Sequence, residues 1–96
     1  MILHTLNASP ASAAFDDCLR LLGPGDAVLL MGDGVYAAIA GSGACAALRG
    51  CGAELYLLQS DVIAAGMIGR VADLAVVDMD GFVELTERFT RQQAWY

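Results

Sequence analysis

The chain has 96 residues and a formal net charge of −6, and its five basic residues are all arginine. Because nucleic-acid binding requires a basic face, this balance excludes direct contact with nucleic acid and disfavours anionic membranes. Apolar residues make up 57% of the chain and charged residues 17%, whereas an ordinary soluble domain has about 25% charged residues. We therefore expect a partner chain to cover part of the apolar surface. The alternative is that exposed alanines account for the apolar excess.

Apolar runs alternate with helical patterns, which predicts one small α/β domain over residues 1–96 with a parallel sheet flanked by helices. Residues 1–6 form the first predicted strand, and Ser9 and Pro10 are predicted to cap and begin the first helix. This helix carries an apolar stripe made of Phe15, Cys18, Leu19 and Leu22. Residues 26–31 form a second strand, whose continuous apolar run is typical of burial on both faces.

Two helical stretches are predicted next, at 35–40 and 44–49, with a break at Gly41-Ser42-Gly43. The third predicted strand spans 54–58. A short helix follows it, which we expect Ser60 and Asp61 to cap and Gly66 to end.

The last third of the chain is predicted to contain a fourth strand at 74–77 and a helix at 80–88. One face of that helix carries Phe82, Leu85 and Phe89. Residues 93–96 form a predicted fifth strand. Its terminal Trp95 and Tyr96 are aromatics of the kind that fill cores or anchor interfaces, and we predict that this tail packs into the domain beside an apolar surface that meets another subunit.

The longest strongly apolar run covers only residues 27–31, so no transmembrane segment is predicted. The first residues lack a basic region, and His4 and Asn7 interrupt their apolar stretch, so we expect no signal peptide and a cytoplasmic location. Three cysteines without a paired spacing predict neither a disulfide nor a zinc site in that reducing compartment.

Four aspartates follow predicted strands: Asp33, Asp61, Asp78 and Asp80. The carboxyl ends of parallel strands form the ligand crevice of open sheets, so these carboxylates could hold magnesium in a stand-alone metal-dependent enzyme. The chain has no lysine to neutralise a phosphoryl group, and no acidic pair follows the first strand. We therefore favour helix-capping and turn roles for the four aspartates, and predict no metal site.

Residues 41–46 match the G-x-G-x-x-A spacing of dinucleotide-binding sites. That site requires a strand immediately before the first glycine, whereas a helix is predicted there. We therefore expect no dinucleotide and no other cofactor.

His4 is the only histidine and lies in a predicted buried strand, where we favour a structural role over a Cys–His catalytic pair. Cys18 supports two interpretations: a small buried apolar residue, or a thiol that carries a persulfide. Its place on the apolar stripe favours the first. Cys51 lies between two glycines and is predicted to be the more accessible thiol.

Short segments form an ordered pattern along almost the whole chain: Leu3-His4-Thr5-Leu6-Asn7, Ser9-Pro10, Gly25-Asp26, Asp33-Gly34-Val35-Tyr36-Ala37-Ala38, Leu55-Tyr56 with Asp61 and Gly66, Val77-Asp78, Asp80-Gly81-Phe82-Val83-Glu84-Leu85-Thr86 and Gln93-Ala94-Trp95. This pattern resembles the TusB/DsrH family. The resemblance implies a three-layer α/β/α fold with a mainly parallel five-stranded sheet.

The resemblance also implies an accessory subunit of a cytoplasmic sulfur-relay complex. That complex is a heterohexamer. Its sister subunits resemble TusC and TusD, or DsrF and DsrE. A sulfur-carrier protein exchanges sulfur with the complex. The Tus branch serves 2-thiolation of the tRNA wobble uridine, and the Dsr branch serves sulfur oxidation.

In that family pattern the catalytic cysteine belongs to a sister subunit and lies at the end of its third strand. This chain has Leu57-Leu58-Gln59-Ser60 there, which implies a non-catalytic member without catalytic residues of its own. Cys18 occupies the place of a cysteine found on the first helix of DsrH-like members, and it is the one candidate sulfur-accepting residue. The resemblance leaves the choice between the two branches open.

Overall fold

The computed structural model describes residues 1–96 and contains one five-stranded sheet in the order β4-β3-β2-β1-β5, with every neighbouring pair of strands parallel. The strands are β1 (Ile2–Leu6), β2 (Ala27–Leu30), β3 (Glu54–Leu58), β4 (Ala75–Val77) and β5 (Arg91–Trp95). The helices are α1 (Ala13–Leu21), α2 (Gly43–Gly50), α3 (Gln59–Ala64) and α4 (Met79–Arg88), with a 3₁₀ helix at Gly32–Ala38. The predicted α/β class is confirmed.

Helices cover both faces of the sheet, because the chain steps from β1 through β4 in one direction and then returns to place β5 beside β1. Right-handed crossovers of this order put α1, the 3₁₀ helix, α2 and α3 on one face and α4 on the other. Two separate apolar cores follow from this arrangement. The larger includes Phe15 and Cys18 of α1, and the smaller includes Leu85 and Phe89 beside α4.

The first helix begins three residues later than predicted, so the assignment of Ser9 and Pro10 as its start is wrong. Ser12 is the N-cap, and its Oγ accepts a hydrogen bond from the backbone N–H of Phe15 across 3.3 Å. Ser9 instead organises the preceding turn, where its Oγ accepts from the N–H of Ala11. Ser12 lies three residues before Phe15, the first buried residue of the apolar stripe, so capping there begins the helix where burial begins.

The predicted cap of α3 is also wrong. The helix begins at Gln59, directly after β3, and its N-cap Leu58 makes no side-chain hydrogen bond. Asp61 uses its carboxylate elsewhere: Oδ2 accepts a 2.7 Å hydrogen bond from the N–H of Gly32. This bond ties α3 to the end of β2.

The turn after β2 passes so close to the end of β1 that a residue with a side chain does not fit at Gly34. A Cβ atom built on Gly34 would lie 2.0 Å from the carbonyl oxygen of Leu6. Gly32 has a positive φ of 51°, and a Cβ there would meet the Asn7 side chain. The turn after β2 is therefore held against β1 by backbone contact that a larger residue would prevent.

Candidate functional site

Two of the four aspartates at the carboxyl end of the sheet, Asp61 and Asp78, accept hydrogen bonds from backbone N–H groups. Asp78 is the N-cap of α4 and accepts a 2.9 Å hydrogen bond from the N–H of Gly81, while Asp61 accepts from Gly32 as described. Asp78 thus has the helix-capping role that we favoured, whereas Asp61 connects two elements instead of capping α3. Over the whole chain, no group of three or more His, Cys, Asp or Glu side chains is placed to hold a metal ion.

The glycines at 41 and 43 belong to a helix cap. The residues before them form a 3₁₀ helix that ends at Ala38, where a dinucleotide site requires a strand. Ser42 between them is the N-cap of α2, and its Oγ accepts from the N–H of Cys45 across 3.2 Å. The segment has the geometry of a helix start.

A buried polar network joins His4, Asp26 and Trp95. Trp95 Nε1 lies 3.1 Å from His4 Nδ1, and His4 Nε2 lies 3.3 Å from Asp26 Oδ2. Because the indole N–H can only donate, Nδ1 must accept and the imidazole proton resides on Nε2, where it points at the carboxylate. Both ring nitrogens of the buried His4 are thus engaged in structural bonds. A Cys–His nucleophile pair would have to break one of them.

The Asp26 carboxylate closes this network at the start of β2. Its Oδ1 accepts a 2.9 Å hydrogen bond from the N–H of Ile2, and its Oδ2 accepts a second backbone bond from Gly23. Burial raises the pKa of Asp26, but the hydrogen bonds from Ile2, His4 and Gly23 outweigh it, and the pKa lies below its usual value. The sequence analysis included Asp26 in the family pattern but gave it no role, because an aspartate at the first position of an apolar run also fits a simple turn.

The three cysteines differ in access to solvent. Cys18 is fully buried in the larger core, and burial, with a smaller contribution from nearby Cys51, raises its pKa to about 12. Cys45 is buried as well. Cys51 is half-buried at the C-cap of α2, with its Sγ 3.3 Å from the carbonyl oxygen of Ala47 as a weak donor, so it is less open than a loop thiol. A sulfur-accepting role for Cys18 remains a prediction.

The two terminal aromatics have separate environments. Trp95 is partly buried, packs against the larger core and ends β5 beside Leu6. Tyr96 lies beyond the strand and is 85% exposed. Packing of the tail into the domain thus involves Trp95, whereas Tyr96 lies on the surface.

The end of β3 opens onto a surface depression of about 370 Å³. Gln59 and Ser60, which follow the strand directly, line it together with Ile63, Asp78, Met79 and Asp80. No thiol is among these residues. The exposure of Ile63 and Met79 was not foreseen from the sequence, because in a helix periodicity separates apolar from polar faces but does not tell which apolar residue remains uncovered.

Comparison with known proteins places the chain in a family. The family model described as "DsrH like protein" matches residues 8–92. The chain belongs to the DsrH-like family. Two relatives of this DsrH-like chain, each named "Protein TusB", come from Shigella dysenteriae serotype 1 and Escherichia coli O1:K1 / APEC. Each is 42% identical over 95 residues, covering 98% of this chain and 100% of the relative. The resemblance to the TusB/DsrH family is confirmed.

A solved structure shares the fold of this DsrH-like chain. The solution NMR structure of protein Tm0979 from Thermotoga maritima superposes with a TM-score of 0.71 at 18% sequence identity. The match covers 92% of this chain and 93% of the other. The helices of the DsrH-like chain are all too short or too polar to span a bilayer.

Proposed function

We propose that this DsrH-like chain is an accessory subunit of a cytoplasmic sulfur-relay complex, in which sister subunits resembling TusC and TusD carry out the transfer chemistry. The observation that carries the proposal is the similarity to proteins named TusB across 98% of this chain and the full length of each relative. The apolar excess of this 96-residue chain supports membership in a complex, since apolar surface that a small domain cannot cover itself is typically buried against a partner.

The distribution of thiols supports an accessory role. A cysteine that relays sulfur must be reachable and must ionise, because the thiolate is the nucleophile. Cys18 and Cys45 are buried, and the half-buried Cys51 lies three residues before β3, at the amino end of the sheet. The end of β3 presents Gln59 and Ser60 instead. The catalytic cysteine of the complex then belongs to a sister subunit.

The tRNA branch is the pathway that we propose, with 2-thiolation of the wobble uridine as the product. Its support is the name TusB on the relatives. A net charge of −6 disfavours direct tRNA binding by this chain, so its role in thiolation is indirect, in a complex that relays sulfur from a carrier protein. The alternative is a DsrH-type subunit in sulfur oxidation, which Cys18 favours by its position on α1.

Complementation tests the proposal. The chain, co-expressed with the sister subunits encoded in its own genome, is introduced into an Escherichia coli strain that lacks the corresponding complex, and 2-thiouridine in digested tRNA is quantified by mass spectrometry. We expect thiolation to be restored, and equally by a Cys18→Ala variant. Co-purification of the three subunits without restored thiolation would favour the sulfur-oxidation branch. A stable monomer that ignores the sister subunits and binds magnesium would refute both branches.

A further inference from the structure

Large apolar side chains are exposed together at one corner of the molecule, around the β4 edge of the sheet. This surface, the β4 corner, comprises Ile63 (53% exposed), Ile68 (71%), Val76 (47%) and Met79 (58%). Two depressions meet there, because both are lined by Gln59 and Ile63. One, of about 370 Å³, reaches Met79, and the other, of about 300 Å³, reaches Ile68 and Val76. Exposed apolar side chains gathered at one corner and bordered by polar residues are typical of a protein contact site.

The two edges of the sheet differ in how they are protected. β5 begins Arg91-Gln92-Gln93, and polar or charged residues on an edge strand deter pairing with other chains. β4 is Ala75-Val76-Val77, pairs only with β3, and carries neither a charge nor a proline. An apolar edge strand without charge or proline leaves backbone groups that another chain can cover.

The charge beside the β4 corner defines what kind of chain can cover it. Asp78 and Asp80 line the larger depression, and neither has an arginine within 4.0 Å, since the two arginine ion pairs are Arg20 with Asp17 and Arg88 with Glu54. A second copy of this chain would bring a further net charge of −6 to the contact, which like-charge repulsion opposes. A partner with arginine or lysine around an apolar segment complements the surface in both charge and polarity.

We propose that the β4 corner docks a sister subunit of the complex, which inserts apolar side chains between α3 and β4 and sets basic residues against Asp78 and Asp80. The inference rests on the proposed function, because it takes the partner to be a subunit of the relay complex. Cysteine chemistry plays no part in it, so the contact can be tested by binding alone.

Binding of the purified chain to its sister subunits is measured for the variants Ile63→Glu and Ile68→Glu, with Leu21→Glu as the matched control. Leu21 is 64% exposed at the end of α1, away from β4. We expect each corner variant to weaken binding by about tenfold or more, as at interface hot spots, and the control to bind as the parent does. Ile68 lies outside the helices, so its variant still tests the proposal if Ile63→Glu fails to fold.

Charge reversal tests the nature of the partner. Asp80→Arg should slow association at low salt, whereas Glu87→Arg at the other end of α4 should leave it unchanged. Faster association of Asp80→Arg would overturn the proposal that the partner sets basic residues against this surface. Equal binding by Ile63→Glu and Leu21→Glu would overturn the β4 corner while the proposed function stands. The same holds if Ile63→Glu abolishes only self-association, because the occupant is then a second copy. Failure of the parent chain to bind any sister subunit would instead reject the proposed function.

Discussion

The indole N–H of Trp95 donates a 3.1 Å hydrogen bond to Nδ1 of His4, joining residues 91 positions apart in the chain. The two rings are stacked, with centroids 6.3 Å apart and planes 21° from parallel. Because His4 Nε2 in turn contacts Asp26, one imidazole connects the end of β5, the middle of β1 and the start of β2. The only histidine of the chain is thus a structural joint between its two ends.

Replacing Trp95 by phenylalanine keeps an aromatic ring but removes the donor, and leaves Nδ1 of His4 buried without a partner. We expect the free energy of unfolding to fall by about 1–3 kcal/mol, the usual cost of an unsatisfied buried group. Urea denaturation followed by circular dichroism measures it. Tyr96→Ala is the control and should unfold like the parent, because Tyr96 is almost fully exposed.

Deleting residues 93–96 should lower stability and assembly together. The deletion removes three of the five residue pairs between β1 and β5, those of Gln93, Ala94 and Trp95. The edge of β1 then becomes open, and the larger core loses its cover from Trp95. A truncated chain with an unchanged melting temperature and normal complex formation by size-exclusion chromatography would contradict the prediction that residues 93–96 support stability and assembly.

Asp26 should make the fold sensitive to acid. Its pKa is lower in the folded protein than its ordinary value of about 3.9, so ionised Asp26 stabilises the fold above that pH. This contribution disappears as the pH falls through the lower folded-state pKa. The difference in unfolding free energy between the parent and Asp26→Asn should therefore be largest near neutral pH and shrink below about pH 4. Urea titrations of the parent and of Asp26→Asn across that range test it.

The thiols should react with reagents in a fixed order. Burial raises the pKa of Cys18 to about 12, so almost none of it is thiolate at neutral pH, and its side chain is also shielded. Cys51 should therefore be alkylated first, with Cys18 labelled only on unfolding; mass spectrometry of a time course gives the order.

We further expect Cys18→Ser to leave sulfur transfer by the assembled complex intact. Loss of transfer with normal assembly, or a sulfur adduct on Cys18, would assign it a role in the relay.

Two glycines should respond oppositely to the same substitution. An alanine at Gly34 would place its Cβ 2.0 Å from the Leu6 carbonyl oxygen, a backbone clash that only a shift of the turn after β2 can relieve. We expect a loss of about 3 kcal/mol or more in unfolding free energy, in the range of severe overpacking. Gly43 begins α2 with open space around it, so Gly43→Ala should be neutral or slightly stabilising. Equal melting temperatures for the two variants would disprove the close approach.

The sequence by itself determined the order of most elements and the class of the fold, because these depend on local patterns. The helix predicted at 35–40 is instead a 3₁₀ helix at Gly32–Ala38. The run at 54–58 predicts β3 as observed, and the spacing of Phe15 and Cys18 predicts the buried face of α1. Apolar runs alternating with helices predict the parallel sheet. The family likewise follows from the sequence, since the segments that carry it are spread over the whole chain.

Tertiary structure alone decided which polar groups meet. From its neighbours alone Asp61 is predicted to cap a helix, yet its carboxylate accepts a hydrogen bond from Gly32, 29 residues away. The two residues meet because α3 and the turn after β2 both begin at the same edge of the sheet. The return of β5 to β1 brings Trp95 to His4 and leaves β4 as the open edge beside Ile63 and Met79. Such contacts depend on strand order and crossover direction, which place residues far apart in the chain side by side and leave no periodic trace near either one.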